Sequence, residues 1–275
     1  MFYDVAGFNE GVAQPAKRAF ALVAMTPAES KRLIAKGVAQ LPEVKQVLKK
    51  GTLLISRGTT NAFVAEEVLG ISISKSDYTA GIITEGELRA TSQQRRLKPY
   101  VIRDGKVAEV SLEEAWAKLE KGDVVLKGAN ALDPAGNIGV LVGSDVGGTV
   151  GQAMPVVLPR GCAWITPVGL EKMVPSVIEA SRKCDIYRYK YSTGLPCALL
   201  PFVNTLVVTE IQALKFLTGV DATHVASGGI GGSEGAVVLA LEGVEENIDK
   251  AYSLITSIKG EASLPEPVES RGNAP

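Results

Sequence analysis

Residues 53–70, LLISRGTTNAFVAEEVLG, join a short strand to a helix through one polar turn. Leu53, Leu54 and Ile55 read as a short apolar strand. Arg57, Gly58, Thr59, Thr60 and Asn61 turn the chain, and the helix that follows stops at Gly70, a residue that readily closes helices in a left-handed conformation. A buried strand leading directly into a helix belongs to an α/β body with a largely parallel sheet, in which ligands collect at the carboxyl ends of the strands. The polar turn is expected there.

The neighbouring segments fit this reading. TPAESKRLIAKGVAQLPEVKQVLKKG opens with Thr26, Pro27 and Glu29 in the spacing of a capping box, and Pro42 predicts a break into a second helix. RLKPYVIRDGKVAEV alternates around Asp104-Gly105, a hairpin signal, and Ser111 with Glu114 caps the helix SLEEAWAKLEKG. Residues 123–168 contain three apolar strand-like runs without polar alternation, separated by Gly-rich turns, which predicts a sheet buried on both faces, and GLEKMVPSVIEASRK reads as a helix that Pro175 interrupts. Residues 71–96 give no clear pattern. LVVTE, IQALKFLTG, ATHVASGGI, GAVVLALEG and EENIDKAYSLITSIKG read as strand, helix, strand, strand, helix, a small ferredoxin-like α+β module. The expected organisation is an N-terminal arm (1–25), an α/β body (26–204), the small module (205–260) and a disordered or surface tail (261–275).

A formal net charge of −1 gives no electrostatic reason to expect nucleic acid or an anionic membrane as a partner. No apolar run reaches the roughly 20 residues that span a bilayer. Cys162, Cys184 and Cys197 are three in number without CxxC spacing, and no signal segment is evident, which predicts a cytoplasmic setting. A sheet edge and an apolar N-terminal arm would gain from burial in a second copy, so a homo-oligomer is expected.

Two stretches could carry chemistry. At the start of the helix after Arg57, unpaired amides and the helix dipole could hold a phosphate or carboxylate with Gly58, Thr59, Thr60 and Asn61, although a plain helix cap explains the same residues. In LKGANALDPAGNIGVLVGSDVGGTVGQAM, Gly128, Gly147, Gly148 and Thr149 allow close backbone approach. In the same stretch Lys127, Asn130, Asp133 and Asp145 offer charge and hydrogen bonds, with Asp145 or Asp133 as general base. Glu234 in GGSEGA is a lower-ranked nucleophile, and the single His224 without a second ligand makes a metal site improbable.

Taken together, ISRGTTNAF and LKGANALDPAGNIGVLVGSDVGGTVGQAM resemble the superfamily of type A ribose-5-phosphate isomerase, glucosamine-6-phosphate deaminase and family I coenzyme A transferases. The first stretch looks like their strand-to-helix phosphate loop and the second like their acidic turn followed by a Gly-rich loop. PVVLPRGCAWITPVGLEKMVPSV is similar to the lactate-utilisation branch, with Lys172, Met173, Val174 and Pro175 where that branch has Lys-Ile-Val-Pro. The resemblance implies a small anionic metabolite, a phosphosugar or an acyl-coenzyme A, with coenzyme A as substrate and no bound cofactor. Where the isomerase carries two acidic residues, this chain has Lys127 and Asn130, and VGQAM lacks the expected catalytic Glu. Two readings follow: an isomerase- or transferase-like enzyme, or a non-catalytic ligand-binding protein that lost the carboxylate.

Overall fold

The computed structural model describes Phe2 and residues 17–265. The chain runs through β1 (Arg18–Met25), α1 (Pro27–Gln40), α2 (Pro42–Lys49), β2 (Thr52–Ile55) and α3 (Thr59–Leu69). It continues through β3 (Gly81–Thr84), β4 (Glu87–Ala90), β5 (Tyr100–Arg103), β6 (Lys106–Val107), α4 (Leu112–Ala117) and β7 (Val124–Leu126). Next come β8 (Ala131–Leu132), β9 (Ile138–Val142), α5 (Gly148–Val157), β10 (Ala163–Pro167), a 3-10 turn at Leu170–Lys172 and α6 (Val177–Ser181). The last elements are β11 (Ala198–Phe202), β12 (Leu206–Val208), α7 (Glu210–Thr218), β13 (Asp221–Gly228), β14 (Ala236–Val244) and α8 (Glu245–Ser257).

The fold is mixed α/β, and its six-stranded main sheet has the order β12-β10-β7-β2-β5-β6. The first four strands are parallel, while β5 and β6 add an antiparallel edge. The residues of β2 and β7 are buried throughout, as their unalternating apolar character predicts. Alternate residues enter different cores. Leu53, Ile55, Val124, Leu126, Ile165 and Val208 pack with the apolar faces of α1, α2 and α3. Leu54, Val125, Trp164 and Val207 face the other way, towards α4, α5, α7, α8 and β14. Burying each such side chain contributes about 1.5–3 kcal/mol relative to exposure, so both faces of the sheet are anchored.

Local signals place the helices around it. The capping box of Thr26 and Glu29 forms at α1, with Glu29 N donating to Thr26 Oγ1 and Thr26 N donating to Glu29 Oε2. Leu41 and Pro42 separate α1 from α2, and a second capping box of Ser111 and Glu114 opens α4. The Asp104-Gly105 hairpin joins β5 to β6, with both residues at positive φ. Pro175 has the effect its missing N–H predicts: the segment from Gly169 to Ser181 splits into the 3-10 turn and the five-residue α6.

Several pairings differ from expectation. Residues 18–25, expected within an arm, form β1, which pairs antiparallel with β14 along its whole length. Residues 3–16 of the expected arm lie outside the described residues. The five C-terminal elements occur in the expected order, but β12 joins the main sheet beside β10 and β1 takes a place in the order β1-β14-β13. Residues 205–260 therefore do not close a sheet of their own. Phe20 and Leu22 of β1 point outward from this three-stranded sheet and are exposed. Residues 71–96 contain the β3–β4 hairpin, turned by Glu85 and Gly86 at positive φ. Of the expected tail, Glu261 is held by the Arg32 guanidinium, and residues 266–275 lie outside the described residues. Among the described residues no helix is long and apolar enough to cross a membrane.

Candidate functional site

The carboxyl ends of β2 and β7 are locked together around one oxygen. The carbonyl of Leu126 accepts from Ser56 N at 3.0 Å, Ser56 Oγ at 2.7 Å and Asn61 Nδ2 at 3.1 Å. Asn61 Nδ2 also donates to the Ser56 carbonyl at 2.8 Å. Below this clamp Tyr78 is fully buried, its hydroxyl donating to the Ile55 carbonyl at 2.5 Å while its own carbonyl accepts from Gly58 N at 2.9 Å. The turn between β2 and α3 is thus built in from both sides.

This geometry divides the residues expected to cradle an anion. Asn61 is fully buried and its amide nitrogen clamps the strand ends, while its Oδ1 meets no partner among the described residues. Thr60 is buried as well, with a hydroxyl that meets no hydrogen-bond partner. Gly58 is the N-cap of α3 and carries no side chain to cap it, and the first intrahelical bond runs from Ala62 N to the Gly58 carbonyl. The amides of Thr59, Thr60 and Asn61 have no acceptor among the described residues, so the positive end of an 11-residue helix is left open.

Cations gather at the same strand ends. Arg57 follows β2, Lys127 follows β7, and Lys172 lies in the turn after β10. Burial, and then the charges of Lys172 and Arg57, bring the Lys127 ammonium down to about 8. Lys172 also sits at about 8: burial and Lys31 lower it, and the carboxylates of Glu171 and Glu210 pull the other way. Burial and the neighbouring Arg96 depress Arg57 in the same sense. Of the three, Lys127 is the one whose charge is set against both of the others. Lys172 Nζ donates to the Ala129 carbonyl at 2.9 Å. Neither Lys127 nor Arg57 makes a side-chain hydrogen bond or an ion pair among the described residues.

Carboxylates stand beside this cluster on the β10–β12 side. Glu210, the first residue of α7, is fully buried and accepts from Leu170 N at 3.0 Å and 3.3 Å; burial raises its pKa. Glu171 pairs with the buried Lys31 at 2.8 Å. Gly235, in the β13–β14 turn, lies beside this pair, where a Cβ would make ordinary contact with Glu171 Oε2 at 3.5 Å. Glu171, Glu210 and Lys172 are residues that sequence reasoning did not single out as site residues. The available signal was positional, since they follow the third and fourth parallel strands.

The remaining candidates fall elsewhere. Asp133 is buried in the β8–β9 turn, where Oδ1 accepts from Ala135 N and Asn137 N, and Oδ2 accepts from Asn137 Nδ2 and Val177 N. Burial would raise its pKa, but the bonds from Asn137, Val177 and Ala135 outweigh that and hold it below the ordinary carboxylate range. A carboxylate committed to four donors is a poor base, and in the structure Asp133 holds the β8–β9 turn and the first amide of α6. Asp145 is exposed in the β9–α5 link and accepts from the Tyr187 hydroxyl at 2.8 Å. Gly147 (φ +70°) and Gly148 (φ +55°) start α5, followed by Thr149. Asn130 is exposed and its Oδ1 accepts from Leu141 N at 3.0 Å, tying the link after β7 to β9, while Gly128 follows Lys127 directly. Glu234 accepts from Gly232 N inside its own turn, and His224 bonds Ser227 Oγ at 2.7 Å. No cluster of metal-ligating side chains occurs among the described residues. Of the expected residues, Lys127 is the one whose charge the structure couples to other cations at the strand ends.

Searches against protein-family models, curated proteins and solved structures give no match for this chain.

Proposed function

We propose that the protein binds a small anionic metabolite at the carboxyl ends of its parallel strands, with Arg57, Lys127 and Lys172 and the open start of α3 facing the anion. The observation that carries this reading is the pairing pattern. Neither Lys127 nor Arg57 bonds a carboxylate among the described residues, whereas Lys31 is paired with Glu171 and Arg32 with Glu66, Glu67 and Glu261. Packing like charges out of water costs several kcal/mol unless something compensates. A bound phosphate or carboxylate, including the phosphates of an acyl-coenzyme A, would supply that compensation.

A phosphosugar or acyl-coenzyme A ligand, and membership of the isomerase and coenzyme A transferase superfamily, remain what the motif resemblance implies. Reduction to a binding or regulatory role is favoured by the engagement of Asp133 and by the exposure of Asp145, which leave the two nominated bases away from work on a substrate. Against that stands Glu210, a buried carboxyl beside Lys172 that could serve as an acid or base.

A thermal-shift panel of sulfate, phosphate, sugar phosphates, coenzyme A and acyl-coenzyme A tests the reading. A ligand at about a hundred times its dissociation constant adds roughly 2.7 kcal/mol, and Arg57→Ala combined with Lys127→Met should abolish the shift. Stabilisation that survives the double substitution would place the anion elsewhere and defeat the proposal.

A further inference from the structure

The sheet β1-β14-β13 has one face on the core and one face open. Leu239 and Leu241 of β14, with Val23 and Met25 of β1, point into the core and are buried. The register sets three rows across the opposite face: Phe20, Glu242 and Asp221, then Leu22, Ala240 and Thr223, then Ala24, Val238 and Ala226. An antiparallel sheet with one solvated face normally turns polar side chains outward. Here Phe20 and Leu22 are 70% and 69% exposed, an apolar surface without cover among the described residues. Bulk and charge are divided between the two edge strands. β1 holds both large side chains, whereas β13 offers Thr223 and Ala226. Arg18 lies on β1 and Asp221 on β13, and their side chains remain 61% and 70% exposed after pairing with Glu242 and Lys215.

From this division we infer that the open face packs on the same face of a second copy, about a two-fold axis running along β14. That operation lays β1 of each copy over β13 of the other, and the same patch serves both copies, as an isologous contact requires. Leu22 then sits on Thr223 of the second copy, and the large side chains of one strand meet the small ones of the other. Arg18 comes within a side chain's reach of Asp221 of the second copy, and the symmetry forms this pair twice. Two sheets stacked in this way make a sandwich about 10 Å thick. A two-fold axis across the strands would instead stack β1 on β1, large on large, and would leave Arg18 and Asp221 apart. Opposite charges on opposite edges of one face are what select a second copy over a foreign partner, which needs no such match. The contact uses the face of the sheet, not a strand edge, and is independent of the anion-binding reading.

The test is sedimentation velocity on the full chain over a wide range of protein concentration. A dimer that dissociates on dilution is expected. Phe20→Glu places a carboxylate in the contact and should leave a monomer, and Leu22→Lys should do the same. Both residues are exposed in the single copy, so circular dichroism and the thermal midpoint measured on dilute protein should stay near the parent values. Arg18→Asp should weaken the dimer, and adding Asp221→Arg should restore it, because the exchange rebuilds both pairs across the axis. A monomer at every concentration overturns the inference, as does a dimer that survives Phe20→Glu and Leu22→Lys, which would lie elsewhere on the surface. Failure of the charge exchange to restore the dimer overturns the two-fold axis along β14. A monomer in which a Phe20→Cys thiol resists alkylation would assign the face to another segment of the same chain and would also overturn the inference.

Discussion

The ammonium of Lys172 donates to the carbonyl of Ala129 across 2.9 Å, linking the turn after β10 to the segment that leaves β7. This bond fixes a positive charge whose field reaches Lys127. Replacing Lys172 with Met removes the charge and leaves the Ala129 carbonyl without its donor. A charge-assisted hydrogen bond is worth about 1.5–3 kcal/mol, so the sulfate dissociation constant measured by calorimetry should rise roughly tenfold or more.

Sulfate affinity should fall as pH rises from 7 to 9, because Lys127 and Lys172 both lose their protons near pH 8 while sulfate stays a dianion throughout. Folding stability of the unliganded protein should move the opposite way. Both lysines sit at about 8 when folded against an ordinary lysine value of 10.5, so between those values the unfolded chain binds more protons and stability rises with pH. Below pH 8 the full penalty for holding the charged forms is present. Chemical denaturation at pH 7 and pH 9.5, with and without sulfate, checks both signs.

Lys127→Met should weaken anion binding and stabilise the empty protein at pH 7. It removes a desolvated ammonium that lies beside Lys172 and Arg57. The gain should be on the order of 1–2 kcal/mol, read as a higher denaturation midpoint. Loss of stability in this variant would mean that the ammonium has a partner in the folded state.

Asn61→Leu should destabilise the chain by about 1–3 kcal/mol. Its amide otherwise ties Ser56 and Leu126 at 2.8 and 3.1 Å in a fully buried position. The measurement is the urea midpoint, with the anion affinity lowered through misplacement of the turn rather than loss of a contact.

Arg32 joins three carboxylates, Glu66 at 2.7 Å, Glu67 at 2.8 Å and Glu261 at 2.8 Å, and lies over the Phe63 ring at 4.8 Å. Arg32→Met leaves Glu261 without its cation and Glu66 and Glu67 with only Lys75 and Lys36, in a largely buried setting. It should cost about 3 kcal/mol, most of it recovered when Glu66 is also changed to Gln. Unchanged thermal stability in the single variant would show the network to be energetically neutral.

Features set by near neighbours were legible in the sequence. The capping boxes at Thr26 and Ser111, the break at Pro42 and the Asp104-Gly105 hairpin each depend on residues within one turn, and each forms. The both-face burial of β2 and β7 was legible too, because apolar runs without alternation admit few other placements. The β3–β4 hairpin escaped notice because its turn uses Glu85 at positive φ, where Asn or Asp would have announced it. The exchange in which β12 joins β10 while β1 joins β14 is decided by contacts between distant segments, which local pattern does not encode. The site shows the same division. Lys127 could be picked from its place after an apolar run, whereas Asn61 and Asp133 are polar residues in Gly-rich turns, and a buried clamp reads like a ligand until its hydrogen bonds are visible.

The most direct test of anion binding at the strand ends is to follow backbone amide chemical shifts while phosphate is added to the isotope-labelled protein. Saturable shifts centred on Gly58 to Asn61 and on Lys127 and Gly128, with the same dissociation constant at each, are predicted. Shifts that appear only around other surface lysines, or none below concentrations at which any protein binds phosphate, would contradict it.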